Sequence, residues 1–528
     1  MNIKTRRTLA VATSLLLGAG ACTDITTEPL DTVTEANIFN DEGSYQAYIA
    51  KVYGGLALTG LQGPAGPTGS GDILGIDEGF SSYLRQYWQM EELPTDEAII
   101  AWGDADLPEM NTQQWATSNQ FVTAMFARVY FQVMLANDFL RQTTDEKLTS
   151  RNVSAGVRED IRLYRAEARF LRALSYWHGI DLFGDIPLVT EEDGIGSTPP
   201  QQASRQEVFE FAVSELNAIM SELPPIGQGQ YGRADRGAAQ MLLAKLYLNS
   251  AVYTGTPRYA EARAAAEAVI NSGAYQLDDE YLDIFLADNH TSPEMIFAVP
   301  FDGRFTRTWG GMTFLAHAAV GGSMNPGQYG LDGGWWGLRV RPQVYRLFGE
   351  DDERNEIFWT NGQSVEIQSI SAFDQGIAAV KFRNVTSTGA VGSNTGFPDT
   401  DFPMFRLGDA YLMYAEAVLR GGGGSNAQAL TYVNALRRRA FDGTSGDITA
   451  GQLTLDFILA ERARELMWEA HRRTDLVRYG RFTGGSYIWT FKGGTPAGVA
   501  TPAYLDLYPI PAAEMAANPN LTQNPGYE

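Results

Sequence analysis

The sequence predicts a mainly α-helical protein, with about four tetratricopeptide-like helical hairpins, large irregular loop insertions and a few short β-strands. Three observations point there. Apolar and small residues recur three or four apart in segments that come in pairs, so each segment presents one sticky face. Glycine and proline breakers separate the members of a pair. Stretches rich in glycine, proline and aromatic residues, at 60–110 and 298–405, lie between the pairs.

In 157–183, Ile161, Tyr164, Ala168, Leu171, Ser175, His178 and Leu182 fall on one helical face. A second helix pattern covers 204–223, opened by a Ser204 cap and closed by Pro224-Pro225. The next pair, 236–252 and 259–272, is joined by Gly255-Thr256-Pro257, and its alanines (Ala238, Ala244 and Ala251 against Ala260, Ala264 and Ala268) allow close approach. That spacing is of the tetratricopeptide type. The pattern returns at 407–419 and 426–440 across the glycines of 421–424, and a less regular early pair covers 43–58 and 112–143. Over 455–473, Leu455, Ile458, Leu459, Ala463, Leu466 and Ala470 form an apolar stripe, with Glu469 placed to pair with Arg472 or Arg473 one turn on. The charges there read as a solvated face with some inter-helix pairs. Short β-like runs stand at 295–299 and 378–383. No charged or Ser/Gly-rich linker divides the chain, so residues 36–528 read as one intertwined domain.

Cys22 is the single cysteine of 528 residues, which excludes any disulfide within the chain. Ahead of it stand Lys4, Arg6 and Arg7, an apolar run from Leu9 to Leu17, and small residues up to Ala21. The run is well short of the roughly 20 residues that cross a bilayer. Residues 1–21 therefore read as a signal peptide, and Ala19-Gly20-Ala21-Cys22 resembles a lipobox with alanine in place of the usual leucine. Cys22 is the expected lipidation site, and 22–35 a flexible tether. Two acyl chains hold a protein to a membrane without a spanning helix.

The chain behind the signal carries 37 Lys and Arg against 63 Asp and Glu, a formal charge of −26. Such a field repels nucleic acid and excludes it as a partner. Four histidines (His178, His290, His317, His471) show no metal-ligand spacing, and no phosphate-binding loop, dinucleotide fingerprint or nucleophile elbow is present. No cofactor is expected. The Asp399–Asp401 stretch lacks the twelve-residue pattern of a Ca²⁺ loop. A glycoside hydrolase needs two positioned carboxylates, which 63 acidic residues supply by accident in any sequence.

Ten tryptophans are the more informative feature, because a tryptophan outside the core usually offers a flat apolar face to a partner. A sugar-binding site wants such a platform beside amide or carboxylate groups. Tyr87, Trp88, Asp96 and Trp102 form one candidate set, and Trp309, Tyr329, Trp335 and Trp336, in a glycine-rich run, form the second. Adjacent tryptophans cannot share one face of a helix or strand, so Trp335 or Trp336 should look outward. Core packing and a partner interface are the rival readings for both sets. Trp115 and Trp359 read as core.

Five segments in register resemble the SusD/RagB family of outer-membrane nutrient-binding lipoproteins: EARFLRALSY at 167–176 with DLFGDIPLV at 181–189, RLGDAYLMYAE at 406–416, ERAREL at 461–466 with RTDLVRYG at 473–480, LYPIPAAEM at 507–515, and NPNLTQNPG at 518–526. The resemblance implies a scaffold of four tetratricopeptide-like hairpins with the ligand held by loops outside them. It further implies a lipid-anchored protein of the outer membrane, facing outward, that binds oligosaccharides or peptides. Such a protein hands its ligand to a SusC-like TonB-dependent transporter and does no chemistry on it. The alternatives are a helical-repeat envelope adaptor without a nutrient ligand, or a glycoside hydrolase. The Thr95-Asp96-Glu97 element also resembles a recurring family element near ligand contacts.

Overall fold

The computed structural model describes residues 38–527 except 40, 61–63, 65–70, 195 and 197; the signal peptide, Cys22 and the expected tether lie outside them. Residues 46–528 form one compact unit. Among the described residues no helix is long and apolar enough to cross a membrane.

The expected pairs are present as packed helices. The Gly43–Gly54 helix meets Gln120–Gln142 through Tyr48 and Phe139, whose rings lie 5.6 Å apart, and through Gln132 Nε2, which donates to the Val52 carbonyl at 2.6 Å. Ala155–Phe183 packs on Arg205–Ile219, Arg236–Leu248 on Tyr259–Ile270, and Leu407–Leu419 on Asn426–Ala440. Ser204 caps its helix, as the sequence predicts, and Glu207 completes a reciprocal capping box with it. The early pair is shorter than expected. Its second helix begins at Gln120 behind the Asn119 cap, because Gln113 takes a left-handed conformation (φ 55°) that ends a separate short helix, Leu107–Thr112.

Strands are few and short. Met295–Val299 pairs antiparallel with Phe402–Arg406, and Phe358–Trp359 with Ala378–Ala379. Ile99–Ile100 pairs with Leu338–Arg339, joining the two long insertions. The C-terminal tail is pinned back on the body: Tyr508 N–H donates to the Leu182 carbonyl at 2.8 Å, and Asn524 Nδ2 donates to the carbonyls of Phe183 and Tyr508.

The 455–473 stripe differs from expectation. The helix stops at Glu465, and Trp468 and Ala470 sit at φ 65° and 61°, so Glu469 is not one turn from Arg472. It binds Lys381 and Arg406 instead, each at 2.6 Å. The face is not solvated either. Arg354 is fully buried against Asp352, Glu461 and Glu465, and Arg406 reaches Glu294, Glu465 and Glu469. Burying a charge costs several kcal/mol unless it is paired and hydrogen-bonded, and here every partner is itself held by another. The network ties five distant segments into one frame.

Candidate functional site

The first candidate set divides. Trp88 is fully buried at the Tyr83–Glu92 helix, its ring edge-on to Phe314 and Trp468, and its indole N–H donates to the Trp468 carbonyl at 2.9 Å. Tyr87 is buried as well, stacked on His178 at 3.9 Å between ring centres, with its hydroxyl donating to the Ala470 carbonyl. Burial pulls His178 down to about 3, so that ring is neutral packing. Asp96 accepts from Arg472 through both oxygens at 2.7 Å and from the Tyr487 hydroxyl at 2.6 Å. Burial alone raises its carboxyl, but Arg472 and Tyr487 outweigh that and hold it below the usual carboxylate range. Tyr87 and Trp88 tie the helix, and Asp96 the loop that follows it, to residues 468, 470 and 472, and all three side chains are buried. An aromatic and acidic stretch reads the same in sequence whether it faces water or a buried arginine.

Trp102 stays at the surface, half-buried. Strand pairing beside it carries Ala101 N–H to the Gly337 carbonyl at 2.9 Å, and Trp102 Nε1 donates to the Trp335 carbonyl at 2.9 Å. Gly337 is needed here: a Cβ on it would lie 2.7 Å from the Trp102 ring. The Trp335 ring then stands 6.3 Å from Trp102 at 46°, and Trp309 stands 6.3 Å from Trp335 at 54°. Phe397, only 5% exposed, backs Trp309 at 4.7 Å. Three indoles, drawn from three places in the sequence, thus form one row at the surface, with Phe397 buried behind Trp309. Trp309 is 39% exposed.

Each ring is held from behind. His317 stacks under Trp335 at 4.8 Å and 20°, and its Nδ1–H donates to the Gly333 carbonyl. Burial lowers its pKa, which keeps the imidazole neutral beneath the indole. Arg85, buried, lies over Phe314 at 4.1 Å and Trp102 at 5.8 Å, and donates from Nε to Gln89. The buried Glu78 carboxylate accepts from the hydroxyls of Thr59 and Thr308 and from Trp309 N–H at 3.0 Å, fixing the Trp309 loop. Exposed Arg307 lies over Phe397 at 4.8 Å, and the exposed Asp104 and Asp332 are near enough to act electrostatically on Arg85 and His317 beneath the rings. Asp399 is occupied by the N–H groups of Gly303 and Ser393, and Asp401 by Phe301 N–H and the Tyr231 hydroxyl, so both stitch loops together.

The second candidate set also divides. Trp335 joins the platform. Trp336 faces outward, 54% exposed, as the adjacency argument requires, but leans on Phe373 rather than on Trp335. Tyr329 is half-buried and packs against a core cluster that includes Leu331 and Phe373, below Arg383; no ring contact joins it to the platform. Trp115 is buried, and Trp359 is partly buried against that same cluster. Sequence reasoning missed Phe397, Glu78, Arg85 and the supporting role of His317. Nothing marks Phe397 in the sequence, since it lies far from Trp309 along the chain and meets it only through the stitched loops. A separate hollow of about 340 Å³, lined by Ile49, Leu56, Phe297 and Val299, is mainly apolar and has no stacked rings.

Comparison with known proteins agrees with this architecture. A family profile described as SusD family matches residues 352–527, and one described as starch-binding associating with outer membrane matches 83–248. The starch-binding protein SusD of Bacteroides thetaiotaomicron is 32% identical over 578 aligned positions, spanning 100% of this chain and 99% of that protein. SusD-like protein P2 of Formosa agariphila is 26% identical, covering 79% of this chain and 83% of its own length. Among solved structures, a SusD superfamily protein of Bacteroides thetaiotaomicron superposes with TM-score 0.71 at 21% identity, over 92% of this chain and 99% of that one. Surface glycan-binding protein A of the same organism, solved with laminarihexaose, superposes with TM-score 0.68 at 21% identity, over 91% and 98%. The hairpin frame, the tail pinned against it and the full-length match together establish that the chain belongs to the SusD family.

Proposed function

We propose that this protein is a surface glycan-binding protein that takes an oligosaccharide onto the Trp102–Trp335–Trp309 platform and passes it to a SusC-like TonB-dependent transporter without altering it. The observation that carries the reading is the row of three surface indoles, each fixed from behind, with exposed Asp104, Arg307 and Asp332 near the groups that support them. Pyranose rings pair an apolar C–H face with equatorial hydroxyls, and such a row matches both. The rings are inclined by 46° and 54° to their neighbours, so they suit a chain that bends rather than a flat ribbon. The relatives' names, one a starch-binding protein and one solved with laminarihexaose, support a glucan as the first ligand to try. Anchoring at the outer membrane through a diacylated Cys22, with the body facing outward, belongs to the same proposal.

Calorimetric titration of the purified chain with maltoheptaose and laminarihexaose tests the site. Stacking contributes on the order of 1 kcal/mol per ring, so Trp309→Ala should weaken binding about fivefold and the Trp309→Ala/Trp335→Ala pair by more than tenfold. Unchanged affinity in the pair would reject the platform. Co-purification of a barrel transporter with the lipidated protein tests the delivery step separately.

A further inference from the structure

Trp336 breaks a conformational rule. Its φ is 57°, a left-handed backbone that bulky residues avoid, and it stands in a segment with glycine at 333, 334 and 337. Glycine would adopt that backbone freely. The tryptophan in its place is 54% exposed, so burial of the ring does not account for it. A strained residue with an exposed apolar side chain needs a reason outside folding.

The surroundings indicate one. Trp336 N–H donates to the Val320 carbonyl at 3.0 Å, and the preceding Trp335 N–H to the His317 carbonyl at 2.9 Å, so the backbone here is fixed. From that fixed backbone the two indoles diverge: Trp335 lies on His317, whereas Trp336 lies 5.9 Å from Phe373 at 43°. Gly321 makes room for it, since a Cβ there would fall 2.8 Å from the Trp336 ring. One ring face is therefore supported and the other open. Beside Gly321 the chain continues through exposed Gly322 and Ser323, whose hydroxyl donates to the Asn361 carbonyl at 3.3 Å, and among the described residues no second exposed aromatic is in ring contact with Trp336. A protein-docking centre gathers apolar neighbours that exclude water around the anchor. A lone indole without such apolar neighbours fits a sugar ring better.

We infer that Trp336 is a second, separate stacking subsite, which takes a further sugar unit of the same oligosaccharide after the chain crosses the turn at Trp335. The inference rests on the glycan reading of the platform. It makes the protein a sensor of chain length: a trisaccharide fills the Trp102–Trp335–Trp309 row, and a longer chain also reaches Trp336.

The test uses Trp336→Gly, which removes the ring and relieves the backbone together, beside Trp309→Ala. Both variants and the parent are titrated with maltotriose, maltoheptaose, laminaritriose and laminarihexaose, and their thermal midpoints are measured. Trp336→Gly should bind the trisaccharides as the parent does, lose about fivefold affinity or more for the long chains, and melt at an equal or higher temperature. Trp309→Ala should lose affinity at both lengths. Parent-like binding of the long chains by Trp336→Gly overturns the second subsite while leaving the platform standing. Equal loss at both lengths also overturns it, because Trp336 would then belong to the first row. Unchanged binding by Trp309→Ala, or a parent that binds none of the four sugars, overturns the glycan reading and this inference with it.

Discussion

The indole N–H of Trp102 donates to the backbone carbonyl of Trp335 across 2.9 Å, although 233 residues separate them. That bond makes each tryptophan a part of the other's support. The antiparallel pairing of Ile99–Ile100 with Leu338–Arg339 brings the two loops alongside, and the bond then sets the angle between the two rings. Trp102→Phe keeps an apolar face but removes the donor, so it should lower oligosaccharide affinity about fivefold. Trp102→Ala removes both and should cost more than tenfold. Titration at constant temperature separates them; a phenylalanine variant as weak as the alanine one would show that the bond, not the face, dominates.

Glu78 governs Trp309 from beneath. Its two oxygens accept three donors: the Thr59 and Thr308 hydroxyls on one, and Trp309 N–H on the other. Glu78→Gln offers a single oxygen, so either the hydroxyls or the Trp309 N–H must face an amide NH₂. To accept from the amide the hydroxyls must give up the donations they make now, and Thr308 Oγ1 already accepts from Gly310 N–H at 3.0 Å, so the Trp309 loop loses a tie whichever way the amide turns. The variant should therefore fold, retain its near-ultraviolet spectrum outside the tryptophan region, and bind oligosaccharide several-fold more weakly. Parent-like affinity would mean that the Trp309 loop is fixed without Glu78.

Much of the frame was legible in the sequence because helical periodicity and capping are local properties. Ser204 with Glu207, the alanine-lined pair around 236–270, and the Met295–Val299 strand are each written within a few residues. The site was only half legible. Trp102, Trp309 and Trp335 are identifiable as aromatic residues in irregular loops, and the adjacency of Trp335 and Trp336 forces one of them outward. Phe397 and Glu78 are not identifiable, since their roles exist only after loops far apart in sequence have met. Trp88, Tyr87 and Asp96 misled for the converse reason: their partners, Trp468, Ala470 and Arg472, come from a segment whose left-handed residues at 468 and 470 interrupt the helix that periodicity predicts. Composition identifies aromatic and acidic groups without revealing which of them a distant arginine or carbonyl will claim.

Trp88→Ala separates frame from site. The ring is fully buried and its N–H is bonded, so truncation leaves a cavity and strips the Trp468 carbonyl of its donor. Large aromatic-to-alanine changes in a core cost about 3–5 kcal/mol. The variant should show a correspondingly lower urea midpoint. At a temperature where it remains folded, oligosaccharide affinity should match the parent, because the platform rings do not touch Trp88 directly. A selective loss of binding with parent-like stability would place Trp88 back in the site.

Glu92 and Glu97 give the frame an unusual dependence on pH. Burial raises the Glu92 carboxyl first, and the neighbouring Glu97 charge raises it further; burial likewise lifts Glu97 to about 7 against the pull of Arg472. Glu92 Oε1 accepts His471 N–H at 3.1 Å, and the Glu92 and Glu97 side chains meet each other. Both folded-state values lie above the unfolded value of about 4.3, so between there and about pH 7 the folded chain holds protons that the unfolded chain has released. Stability from this pair is therefore full at low pH and falls as pH rises through that window. The buried His178 and His471 act oppositely, since burial lowers both and unfolding lets them take up protons below about 6.5. The two effects overlap in the parent but cancel out of a difference. Glu92→Gln fixes the neutral form and leaves the histidines alone, so its thermal midpoint relative to the parent should climb steadily from pH 5 to pH 8. A difference that stays flat over that range would mean that the parent carboxylates are ionised in the folded state and held by Arg472 and the backbone N–H groups alone.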